Sequence, residues 1–131
     1  MPIQKILIVD DDIRFRRFVR ELLSPEEALQ IIGEAVDGQE AIRKVQELKP
    51  DLALVDISMP RMSGLDLTRR LKKMMPKLAI IILTIHDIDE YKKAALASGA
   101  SAYVVKKAMM TELIPAVRMT LSQGREDEGY T

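Results

Sequence analysis

Four apolar runs of the sequence lead directly into polar residues of the kinds that bind metal ions and phosphate. The acidic triplet at 10–12, Asp56, Thr84 and Lys106 each follow such a run. If the runs are strands of an open parallel α/β sheet, their carboxyl ends share the edge at which ligands bind. We therefore expect carboxylates, a hydroxyl and an ammonium group to converge on one site.

The chemistry expected of such a site is metal-dependent phosphoryl transfer. Neighbouring carboxylates repel one another and favour a bound cation, and an all-oxygen ligand set without histidine or cysteine favours Mg²⁺ over a transition metal. A carboxylate beside a metal ion and a lysine can act as a nucleophile toward phosphorus. The two positive charges would neutralise the oxygens of the phosphoryl group, and a threonine hydroxyl could donate a hydrogen bond to one of them.

The apolar runs are typical of strands that are covered on both faces. They hold few polar residues and do not alternate, which is the pattern of a buried parallel sheet. Five such runs occur, at 6–9, 31–36, 52–55, 78–83 and 102–105. Amphipathic segments separate them, so the sequence predicts a doubly wound α/β domain with helices on both faces of the sheet.

Helix boundaries are expected at several polar and glycine positions. Asp37 opens a segment that resembles a capping box, Ser63 is placed to cap a third helix, and Gly99 suits the end of a fourth. A fifth helix is expected from about Thr111, with Pro115 near its first turn, where a missing N–H costs little. The apolar stripes of the first, second, third and fifth helices are Phe15, Phe18, Val19 and Leu22; Ala41, Val45 and Leu48; Leu67, Leu71 and Met74; and Leu113, Val117 and Leu121.

Composition and charge limit the classes of function. The 131 residues include 20 Lys plus Arg and 20 Asp plus Glu, so the net charge is zero and exerts no long-range attraction on nucleic acid or an anionic membrane. The absence of cysteine excludes disulfides and thiolate metal sites. No apolar run approaches the roughly 20 residues of a membrane span, and the N-terminus lacks a signal-peptide pattern. We expect a cytoplasmic protein with no membrane contact, one domain at 1–122, and a tail or the start of a linker at 123–131.

Five segments of the sequence resemble the motifs of response regulator receiver domains, whose fold is called CheY-like. They are Ile-Leu-Ile-Val-Asp-Asp at 6–11, Gly-Glu-Ala-Val-Asp-Gly at 33–38, Asp-Leu-Ala-Leu-Val-Asp-Ile-Ser-Met-Pro-Arg-Met-Ser-Gly at 51–64, Ile-Ile-Leu-Thr at 81–84 and Gly-Ala-Ser-Ala-Tyr-Val-Val-Lys at 99–106. The resemblance spans residues 4–122 and is strongest toward the NarL/LuxR-type regulators. It implies a flavodoxin-like, five-stranded parallel sheet in the order 2-1-3-4-5 with five helices.

The resemblance also implies roles for individual residues of the site, taken position by position. Asp56 aligns with the phosphorylated aspartate, which also belongs to the metal site, and Lys106 aligns with the lysine that pairs with the phosphoryl oxygens. Asp11 aligns with a direct Mg²⁺ ligand. Asp10 aligns with an acidic residue that reaches the ion largely through water, and the backbone carbonyl of Ser58 aligns with a further ligand.

Two positions align with the conformational switch of the family, and three depart from its usual pattern. Thr84 aligns with the switch hydroxyl and Tyr103 with the switch aromatic, although a simply packed aromatic would need the same position. Ile85 stands where the family usually has a small residue, so its bulk is expected to hinder the phosphoryl group or slow turnover. Lys107 stands where many members have proline after a cis bond, so a trans bond is expected here. His86 lies at a position that can tune phosphoryl lifetime in the family, yet a surface residue is the simpler interpretation.

The function implied by the resemblance is that of a phosphorylation-controlled signalling module. A sensor histidine kinase would offer a phosphohistidine, and Asp56 would accept its phosphoryl group. Thr84 and Lys106 would then be drawn in and would bias a two-state surface made of the fourth helix, fifth strand and fifth helix. The expected readout is homodimerisation or release of an output domain, with DNA bound only through a downstream domain that is not present in this chain.

Several alternatives compete with this interpretation. A small phosphatase with an aspartyl-phosphate intermediate is one, because Asp10 and Asp12 weakly resemble the haloacid dehalogenase motif, although Arg14 departs from it. DNA binding by the chain itself is disfavoured by its zero net charge. Asp12 alone is expected to be a helix cap or solvated. The basic cluster at Arg16, Arg17 and Arg20 is expected to be a solvated helix face.

Overall fold

The sheet observed in the computed structural model has the predicted strand order. The structure describes residues 2–129, with side chains for residues 2–123. All strand pairs are parallel, in the order β2-β1-β3-β4-β5. The strands are β1 (Gln4–Val9), β2 (Leu29–Ala35), β3 (Leu52–Val55), β4 (Ala79–Thr84) and β5 (Ala102–Val105). The prediction of a five-stranded, doubly wound, flavodoxin-like sheet is confirmed.

Helices connect the strands and cover both faces of the sheet. They are α1 (Ile13–Leu23), α2 (Gly38–Leu48), α3 (Gly64–Met74), α4 (Asp89–Ala97) and α5 (Met109–Gly129), and a 3₁₀ turn at Lys106–Ala108 precedes α5. Successive strand residues point to opposite faces, so one core cluster joins Leu7 and Val55 to α2, α3 and α4. A second cluster joins Ile8 and Leu54 to α1 and α5. The strands are buried on both sides, as their unbroken apolar character predicts.

The predicted helix caps are present. The Asp37 carboxylate accepts a hydrogen bond from the Glu40 N–H at 2.9 Å, and the Ser63 hydroxyl accepts one from the Asp66 N–H at 3.2 Å. Asp12 caps α1 in the same way. Gly99 follows α4 with a φ of 110°, a conformation that glycine adopts without strain. Each cap satisfies backbone groups that the helix leaves unpaired.

The apolar stripes are confirmed at their centres and fail at some edges. Most of the predicted stripe residues are buried or half-buried. Phe18, Leu48 and Met74 are instead exposed. The spacing rule treats every apolar residue on a stripe alike, but the sheet covers only the middle of each helix face.

Helix α5 departs from its predicted limits. It begins at Met109, ahead of the expected Thr111, and Pro115 therefore lies in its second turn, where it removes a hydrogen bond to the Thr111 carbonyl. Pro115 was expected near the first turn, and it lies deeper because the helix begins earlier than predicted. The helix also continues to Gly129, past the predicted tail boundary at residue 123, and the division of the chain into 1–122 and 123–131 stays a prediction. Among the described residues, none of the helices is both long and apolar enough to cross a bilayer.

Candidate functional site

The acidic residues that follow β1 and β3 meet at the carboxyl edge of the sheet. These two strands are neighbours, with Val9 paired to Val55, so the residues after them are brought together. Carboxylate oxygens of Asp10, Asp11 and Asp56 lie within 4.8 Å of one another. Asp10 and Asp56 are buried and Asp11 is exposed. The structure thus assembles the three carboxylates that the sequence predicts for a metal site.

Lys106 enters this group from the end of β5. Its Nζ atom lies 2.8 Å from Asp10 Oδ2 and 3.7 Å from Asp56 Oδ2. The same ammonium group lies 3.7 Å from the centre of the Phe15 ring, a cation–π contact. Sequence reasoning assigned Phe15 only to an apolar stripe. Its ring contacts the ammonium group and helps to hold it beside the two carboxylates.

The environment of Asp56 disfavours its charged form. Burial raises the pKa of its carboxyl group above the ordinary value, the nearby Lys106 ammonium lowers it, and the Asp10 carboxylate raises it. Burial prevails, so the pKa is raised overall. Asp56 Oδ1 is buried and has no hydrogen-bond partner within the described part of the chain. A buried carboxylate oxygen without a partner, beside two other carboxylates, fits a hard divalent cation such as Mg²⁺.

Thr84 and Tyr103 are linked through the backbone of His86. Thr84 is fully buried at the end of β4, and its hydroxyl lowers the pKa of Asp56, which it therefore adjoins. The His86 N–H donates to the Thr84 hydroxyl at 3.4 Å, and the Tyr103 hydroxyl donates to the His86 carbonyl at 2.6 Å. Both predicted switch residues therefore contact one segment, although their movement stays a prediction. The position of Tyr103 fits both a simply packed aromatic residue and the switch aromatic of the family.

The ring of His86 makes contacts that a simple surface residue would lack. Its Nε2 lies 2.8 Å from the Ser58 hydroxyl, and its ring packs edge-on against Tyr91 at 5.3 Å between centroids. Sequence reasoning missed the bond to Ser58, and the only hint was the closeness of His86 to Thr84 in the chain. The metal-ligand role of the Ser58 carbonyl stays a prediction.

The other departures from the family pattern lie beside the site. Ile85 is 68% exposed, and its effect on the phosphoryl group stays a prediction. The bond before Lys107 is trans, as expected, because residues 2–129 include no cis peptide. Lys107 points toward Asp87, with 3.6 Å between Nζ and Oδ2. Neither side chain forms part of the carboxylate cluster.

This fold and site define a class, the CheY-like domains with an acidic pocket at the carboxyl edge of the sheet. The family model for the response regulator receiver domain matches residues 6–118. The chain therefore belongs to the response regulator receiver family, and it is a receiver domain of the kind used in two-component signalling.

Individual relatives agree with this assignment. Response regulator GacA of Pseudomonas syringae pv. syringae is 33% identical over 121 residues, covering 92% of this chain and 56% of that protein. Response regulator protein VraR of Staphylococcus epidermidis is 37% identical over 116 residues, covering 88% and 56%. The crystal structure of a LuxR-family two-component response regulator from Aurantimonas sp. SI85-9A1 is 30% identical with a TM-score of 0.89, covering 92% of this chain and 86% of that one. The chain spans about half the length of the curated relatives that it matches.

The position of Lys106 leads to a prediction about metal and stability. Replacing it by methionine (Lys106→Met) leaves the buried Asp10 and Asp56 carboxylates without a counter-charge. We expect the free energy of unfolding in EDTA to fall by about 2 kcal/mol. This loss is smaller than the usual cost of breaking a buried ion pair, because the ammonium group keeps some contact with water. Added Mg²⁺ should stabilise Lys106→Met more than the wild type, because it replaces the lost positive charge.

Urea unfolding with EDTA or with Mg²⁺ measures both effects. Lys107→Met is the matched control, since its ammonium pairs with Asp87 in solvent and such exposed pairs contribute little to stability. Equal stabilisation of Lys106→Met and wild type by Mg²⁺ would show that the lysine does not neutralise the carboxylate cluster.

Proposed function

We propose that this domain accepts a phosphoryl group on Asp56 from the phosphohistidine of a sensor histidine kinase. The observation that carries the proposal is a buried carboxylate beside an ammonium group, with Asp56 Oδ2 3.7 Å from Lys106 Nζ. In the transfer, a carboxylate oxygen of Asp56 forms a bond to phosphorus while the bond from phosphorus to the histidine nitrogen breaks. Lys106 pairs with a phosphoryl oxygen and offsets the arriving negative charge.

Asp10, Asp11 and Asp56 hold Mg²⁺ in this proposal, and the Ser58 carbonyl is a further ligand. The support is the carboxylate cluster, whose oxygens lie within 4.8 Å of one another, together with the preference of Mg²⁺ for oxygen ligands. When bound, the ion supplies charge neutralisation to the phosphoryl oxygens. The chain itself orients Asp10, because the Asp12 N–H donates to its Oδ1 at 2.9 Å and Lys106 donates to its Oδ2.

The response to phosphorylation in this proposal passes through Thr84 and Tyr103. Thr84 and Lys106 move toward the phosphoryl group, and the segment that joins Thr84 to His86 moves with them. The Tyr103 hydroxyl then loses its partner at the His86 carbonyl, and its ring turns inward. The surface made of α4, β5 and α5 changes as a result.

The proposal also includes a wider role for the domain. We infer that the domain is a phosphoacceptor that assists its own phosphorylation and dephosphorylation, rather than an enzyme acting on other substrates. Its location in this proposal is the cytoplasm, and its partners are a sensor histidine kinase, a second copy of the domain after phosphorylation, and DNA only through a separate domain. The support for a separate domain is that GacA and VraR, both response regulators, are nearly twice as long as the matched region. No observation favours the alternative of a small phosphatase.

Mass spectrometry with a small phosphodonor tests the central step. After incubation with acetyl phosphate and Mg²⁺, we expect one phosphoryl group per chain, located by peptide mapping on Asp56. Replacing Mg²⁺ by EDTA should reduce the adduct by about 100-fold or more, since charge neutralisation of the phosphoryl group is a main source of catalysis. An adduct on another residue, or the same yield in EDTA, would refute the assignment.

A further inference from the structure

Arg16 is buried although the sequence predicts a solvated helix face. It is 8% exposed, whereas Arg17 and Arg20 on the same helix are exposed. Arginine is almost never buried unless its guanidinium group is paired. The prediction of a solvated cluster is therefore wrong for Arg16, and its partners explain the burial.

Those partners connect two parts of the molecule. One guanidinium nitrogen of Arg16 donates to the backbone carbonyl of Asp10 at 2.7 Å, in a buried hydrogen bond. The Nε–H donates to Glu34 Oε1 on β2, also at 2.7 Å. Because the guanidinium group is planar and rigid, two bonds in different directions fix its orientation. Arg16 thus joins strand β2 to the loop that carries Asp10 and Asp11.

Glu34 is well placed to hold Arg16. It also pairs with Arg20, and its backbone carbonyl accepts a hydrogen bond from Lys44. Burial alone would raise the pKa of Glu34, but the two arginines outweigh it and the pKa is lowered. Glu34 is therefore a charged and doubly paired anchor for the Arg16 guanidinium group.

The bond to the Asp10 carbonyl fixes the peptide plane between Asp10 and Asp11. The Asp10 N–H is already held by the Ala35 carbonyl at 3.0 Å, and the Asp10 carboxylate is held by Lys106 and the Asp12 N–H. The Asp11 carboxylate has no hydrogen bond or ion pair of its own within residues 2–123. Its direction thus depends on the backbone that precedes it, and Arg16 sets that backbone.

We propose that Arg16, anchored by Glu34, is a positioning residue that orients the Asp10–Asp11 peptide and so determines the affinity of the carboxylate cluster for Mg²⁺. This inference rests on the proposed function, in which those carboxylates hold the ion. Residues behind the ligands of a metal site commonly affect metal affinity by about 10–100-fold when they are replaced. Arg16 reaches the ion only through Asp10 and Asp11.

The test compares two arginines that share one partner. Arg16→Lys loses the Nε–H and the rigid planar guanidinium group that hold Glu34 and the Asp10 carbonyl in fixed directions. Arg20→Lys affects the same glutamate and leaves Asp10 untouched. Isothermal titration calorimetry with Mg²⁺ should give a Kd about 10-fold higher for Arg16→Lys than for the wild type. For Arg20→Lys it should stay within about 2-fold of the wild type, because that residue has no bond to the loop. At saturating Mg²⁺, Arg16→Lys should regain the wild-type yield of phosphorylated protein with acetyl phosphate.

Other outcomes separate this inference from the proposed function. If the wild type binds Mg²⁺ and is phosphorylated, but the two variants have equal Kd values, Arg16 is only a structural ion-pair partner and the inference fails. If Arg16→Lys does not fold, Glu34→Gln keeps the acceptor but weakens the anchor, and its Kd for Mg²⁺ should still rise severalfold. An unchanged Kd in Glu34→Gln would overturn the anchoring role. If the wild type neither binds Mg²⁺ nor forms an adduct, the proposed function itself has failed.

Discussion

Asp56→Asn should carry no phosphoryl group after treatment with acetyl phosphate and Mg²⁺, under conditions that label the wild type completely. The amide lacks the anionic oxygen that attacks phosphorus. Asp10 is a second buried carboxylate beside Lys106, but both of its oxygens already accept hydrogen bonds, from the Asp12 N–H and from Lys106. Intact-mass spectrometry measures the effect. Asp12→Asn is the matched control, because Asp12 belongs to the same acidic region but caps α1, and it should retain the adduct. A full adduct on Asp56→Asn would show that another residue accepts the phosphoryl group.

The same substitution should make the protein more stable. Burial raises the pKa of Asp56, so the folded state binds its proton more readily than the unfolded state, and ionisation at neutral pH opposes folding. Removing the charge should therefore increase the free energy of unfolding by about 1 kcal/mol in EDTA, a common size for relief of an unfavourable group. The gain should shrink as the pH falls through the folded-state pKa, because the wild-type carboxyl group is then neutral as well. Urea denaturation of the variant and the wild type across this pH range shows which of the two is more stable and whether the difference shrinks at low pH.

Gly64→Ala should damage both the stability and the site. A Cβ atom at Gly64 would lie 2.0 Å from the Asp56 carbonyl oxygen and 2.9 Å from the Ile57 Cα. Both are backbone atoms, so the loop that carries Asp56 would have to move. The Gly64 N–H also donates to the Ile57 carbonyl at 2.8 Å, which ties α3 to this loop. We expect the free energy of unfolding to fall by about 3 kcal/mol, the upper part of the range for an added group in a packed site.

Gly38→Ala is the control for Gly64→Ala, because both glycines begin a helix. A Cβ atom at Gly38 would meet the Met62 side chain, with 2.6 Å to its sulfur, and a flexible thioether can move aside. Because this side chain can yield where backbone cannot, the variant should stay within about 1 kcal/mol of the wild type. Chemical denaturation and the rate of acetyl phosphate labelling together test the pair. Equal losses in the two variants would show that contact with the Asp56 backbone is not the cause.

Much of the fold and the outline of the site could be predicted from the sequence. The five apolar runs mark the strands because a strand buried on both faces needs an unbroken apolar stretch. Polar residues that follow those runs must lie at the same edge, so the order of residues along the chain was enough to group Asp10, Asp56 and Thr84. The caps at Asp37 and Ser63 were also predictable, since a cap depends on residues a few positions apart.

The tertiary structure decided which atoms pair inside the site. Lys106 lies nearer to Asp10 than to Asp56 and packs on Phe15. Arg16 donates a hydrogen bond to the Asp10 carbonyl. No local sequence pattern indicates any of these pairings. Spacing along a helix tells which residues share a face. The burial of Arg16 on α1, however, depends on its pairing with Glu34, which lies on strand β2. Local sequence therefore determined the elements and the types of group at their ends. The packing of distant segments determined the partner of each group, because that choice depends on geometry which only the folded chain creates.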